Sequence, residues 1–189
     1  MAPLHHTAPL AYFITFRTYG TWLPGNPRGT VDTHHDLPGT PYAPVAAHRA
    51  LSGERLLLHP PITLDAEERA LILRSVRQVC DHRAWTLYAA HIRTNHVHAV
   101  IQAEHGSERV MNDLKVWATR RLVEAGLRER GTRVWVKHGS TRYLWRKEAV
   151  GAACAYVVEG QGVGREFAFV AGGEVGSLTL ARPLACARG

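Results

Sequence analysis

The residues best suited to chemistry are His96 and His98, in the run Thr94-Asn95-His96-Val97-His98 that leads into Ala99-Val100-Ile101. Side chains alternate along a strand, so the two imidazoles share one face while Val97, Ala99 and Ile101 share the other. Two neutral imidazoles fixed on one face supply two ligands for a divalent cation. In a chain with twelve histidines such a spacing also arises by chance, so on the triplet alone ligation and coincidence both stand. His91, one strand earlier, reads as a structural group or as one that orients the site. His5-His6 and His34-His35 sit in loops without matched spacing and read as solvated. His138, beside Gly139-Ser140, either reaches a phosphate or closes a turn.

The elements that must hold the triplet follow from hydrophobic period. Residues 10–17 (LAYFITFR) alternate as a first strand, with Tyr12, Ile14 and Phe16 on one side and Phe13 and Thr15 on the other. A Gly- and Pro-rich stretch from about 18 to 62 follows and reads as a long irregular loop, uncommon inside a compact domain and usually functional where it occurs. Residues 64–83 predict a helix capped by Thr63 or Asp65, with Leu71, Ile72, Ser75, Val76, Val79 and Cys80 as its apolar stripe. Residues 84–92 and 96–103 predict two strands joined by a short link, hence antiparallel. A helix over 107–125, capped by Ser107, buries Val110, Leu114, Trp117 and Leu122. Residues 133–145 predict a strand, or a hairpin turning at Gly139-Ser140. Residues 146–159 are Ala-rich and helical, with Gly160 as a stop.

This order, strand, helix, strand, strand, helix, strand, spells the split β-α-β ferredoxin-like arrangement of the α+β class. It is an antiparallel sheet with helices on one face, the histidines on a central strand, and one extra C-terminal helix. That helix either crosses the histidine face or projects from the sheet. Residues 1–166 are expected to form one domain, and 167–189 a tail or closing strand.

Bulk properties point the same way. A net charge of +7 favours a polyanionic partner, nucleic acid before an anionic membrane, although charge alone also fits a merely soluble basic surface. No apolar run reaches the roughly 18 residues of a membrane helix, and the N-terminus lacks the pattern of a secretory signal. Cys80, Cys154 and Cys186 form no Cys-x-x-Cys pair, which argues against a disulfide framework or a zinc ribbon and fits a reducing cytoplasm. Basic residues recur at Lys115, Arg120, Arg121, Arg128, Arg130, Arg133, Lys137, Arg142, Arg146 and Lys147. Such a run can track a phosphate backbone or simply form a solvated face.

Four segments, in this order and on these elements, carry a family resemblance: Tyr12-Phe13-Ile14-Thr15-Phe16-Arg17 with the loop Trp22-Leu23-Pro24-Gly25; Asn95-His96-Val97-His98; Leu114-Lys115; and Tyr156-Val157-Val158-Glu159-Gly160-Gln161. Spanning residues 10–162, the chain resembles the HUH single-tyrosine transposases, the small insertion-sequence transposases and their REP-associated tyrosine transposase relatives. The resemblance implies that His96 and His98 hold Mg²⁺ or Mn²⁺, and that Tyr156 attacks a DNA phosphodiester to leave a 5′-phosphotyrosine and a free 3′-hydroxyl. It implies a single-stranded or hairpin DNA substrate and a monomer or a homodimer. A polar residue on the tyrosine helix supplies a further metal ligand in the family, and Gln161 is the candidate. The spacing of five from Tyr156 departs from the four that would align them, and Gly160 is where a break would fall. Gln102, on the triplet's strand face, is the other possibility. Lys115 is expected at the DNA, together with Arg17, Arg120 and Arg121, and Trp22 is expected to stack on an unpaired base.

By residues alone Tyr156 reads first as a core aromatic with its hydroxyl at the rim, and Tyr143 is the rival nucleophile. Two other functions remain: a hairpin-binding protein that keeps the fold without the chemistry, and a metal-dependent phosphoesterase in which water attacks.

Overall fold

Alternation along the first apolar run produces strand β1 (Ala11–Thr18), whose Tyr12, Ile14 and Phe16 are buried in the main core. A computed structural model describes residues 8–21, 57–160 and 165–171. Most of the loop expected over 18–62, along with Trp22 and Gln161, lies outside the described residues. The remaining elements are α1 (Ala66–His82), β2 (Thr86–Ile92), β3 (His96–Gln102), α2 (Ser107–Glu124), β4 (Trp135–Leu144), α3 (Lys147–Glu159) and β5 (Ala168–Val170). The strands form one antiparallel sheet in the order β4-β1-β3-β2-β5. The β4-β1-β3-β2 core is the expected ferredoxin-like arrangement, and β5, from the stretch expected as a closing strand or tail, extends it at β2.

The two faces of the sheet differ in what they bury. On one, α1 (through Ile72, Val76, Val79 and Cys80) and α2 (through Val110, Met111, Leu114 and Leu122) pack on the large side chains of the strands. On the other, α3 crosses a small-residue patch formed by Ala11, Ala89 and Val100, where Ala153 and Val157 are buried. Burial pushes the Cys80 thiol up to about 12 and that of Cys154 up to about 11, so both stay protonated at neutral pH.

Several local expectations are corrected. The second strand starts at 86 rather than 84 because α1 ends with Ala84 in the left-handed region (φ 54°) and Trp85 N–H bonded back to Cys80 O. Ser107 does not cap α2: Gly106 stands at the cap, and the Ser107 hydroxyl lies 3.2 Å from that of Tyr143. Gly139-Ser140 is not a turn but the middle of β4, paired with Phe16 and Thr15. Glycine is required at 139 by close packing, since a Cβ there would stand 2.5 Å from Thr15 O and 2.6 Å from Met111 Sδ.

Asp65 caps α1 as expected, in a capping box with Glu68. The sequence reading missed that the buried Glu68 carboxylate also receives Arg128, through Nε and through Nη2 at 2.9 Å. Arg128 therefore ties the chain after α2 to the start of α1 rather than lying free for a phosphate. Glu68→Ala removes the box and half of this ion pair. We expect a loss of about 2–3 kcal/mol, less than for a fully buried pair because Arg128 keeps some contact with water. Urea denaturation should show a lower midpoint at unchanged slope, and a midpoint equal to wild type would contradict this role.

Candidate active site on the histidine face of the sheet

The β2–β3 connection is the short link Thr94-Asn95, closed by Arg93 N–H to His96 O at 2.8 Å. It is held from both sides: Thr18 N–H donates to Asn95 O at 2.9 Å and Leu64 N–H to Thr94 O at 2.6 Å. This fixes where β3 begins, and with it the pleat. Val97, Ala99 and Ile101 enter the main core, so His96 and His98 point to the face crossed by α3. Their rings stand 4.7 Å apart between centroids.

Each imidazole is oriented by a side-chain oxygen. The Nδ1–H of His96 donates to Asn95 Oδ1 at 2.7 Å. His98 Nδ1 shares a 2.7 Å hydrogen bond with the hydroxyl of Thr15, its direct partner on β1. A neutral ring that donates from Nδ1 carries its lone pair on Nε2, the state in which imidazole ligates a metal. Among the described residues no cluster of three or more His, Cys, Asp or Glu side chains could hold a metal ion. Two oriented imidazoles are half of a donor set at most, and substrate oxygens, water or an amide would have to complete it. Gln102 does not: it lies four residues, about 13 Å, along β3 from His98 and accepts the Tyr88 hydroxyl at 2.6 Å.

Tyr156 comes to this pair from α3. Its ring lies edge-on to His98 and to Phe13, 5.9 Å from each, and half of the residue is exposed. It is therefore a rim aromatic, not a core one. The residue after it is buried, and the Val157 carbonyl accepts a 2.9 Å hydrogen bond from His91 Nδ1–H, itself fully buried. His91 pairs directly with His98 on β3, so it links the tyrosine helix to the histidine strand. Gly160 ends α3 as expected, though not through a left-handed conformation (φ −75°). A Cβ there would stand 2.8 Å from Tyr156 O and 3.0 Å from its ring, so glycine leaves the tyrosine room.

Tyr143, the rival nucleophile, is excluded from this site by the pleat. It pairs with Tyr12, whose side chain belongs to the opposite face, and the two rings meet edge to face at 5.3 Å. The expected DNA-contacting residues divide in the same way. Arg17 pairs with His96 across β1 and β3 and shares its face. Arg120 and Arg121 lie on α2, behind the sheet, and bind Glu124 at 2.7 and 3.0 Å.

Lys115 is buried, and its ammonium donates to the carbonyls of Val136, Lys137 and His138 at 3.1–3.3 Å. Burial lowers its pKa, partly offset by Glu108. All three of its donors hold the start of β4, where its register with β1 shifts, and none is left for a phosphate. Ser140, which the sequence did not single out, and Arg142, expected there only as part of the basic run, come beside Thr15 and Phe13 through the β1–β4 register. The signal for them was obscured by reading Gly139-Ser140 as a turn.

No family model and no curated protein matches the chain. Among solved structures it is similar to a REP-associated tyrosine transposase bound to a REP hairpin, with 9% identity and a TM-score of 0.46 over 84% of this chain and 70% of that one. It is also similar to a putative transposase from Deinococcus radiodurans R1, with 13% identity and a TM-score of 0.42 over 83% of this chain and 95% of that one. The likeness is distant in each case. Among the described residues no helix is long and apolar enough to cross a membrane.

Lys115→Met should cost about 1–2 kcal/mol by removing three hydrogen bonds to part-buried carbonyls. It should leave the log–log salt slope of DNA binding unchanged. A slope reduced by about 1, measured by titration at several salt concentrations, would instead put Lys115 on a phosphate.

Proposed function

We propose that this chain is a metal-dependent DNA nicking and joining enzyme of the HUH single-tyrosine transposase class, acting on single-stranded DNA at a hairpin or palindromic repeat. The observation that carries the reading is the approach of Tyr156 to His98 on the one sheet face that also holds His96. Tyr143 lacks that neighbourhood.

In this reading His96 and His98 hold Mg²⁺ or Mn²⁺ through Nε2, with Asn95 and Thr15 fixing the rings. Gln161 is the proposed further ligand. When bound, the cation polarises the scissile phosphate and neutralises charge on its oxygens. The chain's own groups do the rest. Tyr156 loses its phenolic proton and its oxygen bonds to phosphorus. The bond from phosphorus to the 3′-oxygen breaks, and that oxygen leaves as a hydroxyl after taking up a proton. The 5′-phosphotyrosine conserves the bond energy, so a 3′-hydroxyl can reverse the step and join strands without a nucleotide cofactor. Arg17, opposite His96, brings a guanidinium to the same edge for the flanking backbone. Trp22 is proposed to stack on an unpaired base. The tyrosine helix packs on its own chain's sheet, so the site can be completed within one monomer.

The test is a denaturing gel of purified protein with labelled single-stranded hairpin DNA and Mn²⁺. Wild type and Tyr143→Phe should form a covalent adduct, and Tyr156→Phe should form none while binding the hairpin normally. His96→Ala and His98→Ala should lose the response to added Mn²⁺. An adduct in Tyr156→Phe would overturn the assignment, and cleavage without any adduct would assign the attack to water.

A further inference from the structure

Behind the histidine face, at the end of β4, two large aromatic side chains stand side by side in solvent. Tyr143 is 52% exposed and Trp145 is 55% exposed. Their rings are stacked, 6.3 Å between centroids and 16° from parallel. The inner ring is fixed: Tyr143 meets Tyr12 edge-on, and its hydroxyl lies 3.2 Å from that of Ser107. The outer ring, Trp145, thus presents a preorganised flat face at little cost in side-chain entropy. Arg146 and Lys147 follow it directly in the chain, and both are exposed. Among the described residues neither is paired with a carboxylate, unlike Arg120, Arg121 and Arg128.

Flat aromatic surface bordered by unneutralised cations is complementary to a base and its phosphates. The same charge is poorly suited to burial against a second copy of this basic chain. We propose that Tyr143 and Trp145 form a stacking platform for an unpaired base of single-stranded DNA, with Arg146 and Lys147 on the adjoining phosphates. The inference rests on the proposed DNA-processing function and deepens it, adding a second contact for the strand. The helix that begins at Lys147 carries Tyr156 nine residues, about 14 Å, further on. The strand held here accordingly passes round the β4 edge of the sheet to reach the phosphate attacked, and the platform selects unpaired over duplex flank.

The experiment is fluorescence anisotropy with a labelled hairpin oligonucleotide carrying a single-stranded flank, intact or with one abasic site moved along it. Trp145→Ala, an exposed substitution, should weaken binding about ten-fold, and Trp145→Phe should restore most of it. In wild type one abasic position should reproduce the loss, and at that position Trp145→Ala should be insensitive to base removal. Equal affinity of Trp145→Ala and wild type would overturn the platform. So would a loss that is the same at every abasic position, or a change in oligomeric state by sedimentation in place of a change in DNA affinity. At saturating DNA, Trp145→Ala should still form the Tyr156 adduct. Base-dependent binding through Trp145 in a wild type that never forms an adduct would remove the nucleophile and leave the platform standing.

Discussion

The candidate site depends on one contact: the seating of α3 across the sheet, with buried His91 donating to the Val157 carbonyl. Without it, Tyr156 would be an exposed aromatic on a weakly amphipathic helix. The sheet prepares this seat with small side chains, Ala11 and Ala89, so that Ala153 and Val157 approach the strands closely. A hydrogen bond of this kind contributes only about 1 kcal/mol net, but a buried carbonyl deprived of its partner costs about 1–3 kcal/mol. The contact therefore specifies where along the sheet the helix sits more than it stabilises the fold.

The pleat then sorts side chains by task. Residues of β1 and β3 that face α1 and α2 are large and apolar and form the main core. Residues one step along face α3 and include Thr15, Arg17, His96 and His98. Tyr143 and Tyr156 are distinguished by this alone, since only the second reaches the histidine face. Charges remote from that face brace it: Lys115 holds the start of β4 by three carbonyls, and Glu68 with Arg128 locks the end of α2 to the start of α1. Both are functions of burial, and neither residue type announces burial in a sequence.

Strand alternation and helical period were enough to read the element order, the common face of His96 and His98, and the antiparallel sheet with helices on one side. They also predicted α3 as a helix, because an Ala-rich run ending at glycine is a strong helix signal, but left open whether it crosses the histidine face or projects from the sheet. Where the reading failed, tertiary packing had overridden local chemistry. Gly139 is a glycine because Thr15 and Met111 crowd it, not because the chain turns. Ser107 turns to Tyr143 instead of capping its helix. Arg120 and Arg121, expected at the DNA, lie on α2 and pair with Glu124. The role proposed for Tyr156 rests on the family resemblance, since nothing in an Ala-rich helix marks a phenol as reactive.

The most direct test of the central claim is to locate the covalent bond. The protein would be incubated with single-stranded hairpin DNA and Mn²⁺, digested with nuclease and protease, and the nucleotide-bearing peptide sequenced by mass spectrometry. The account predicts a phosphate linkage on Tyr156 and on no other residue. A linkage on Tyr143, which lies on the opposite face of the sheet, would contradict it.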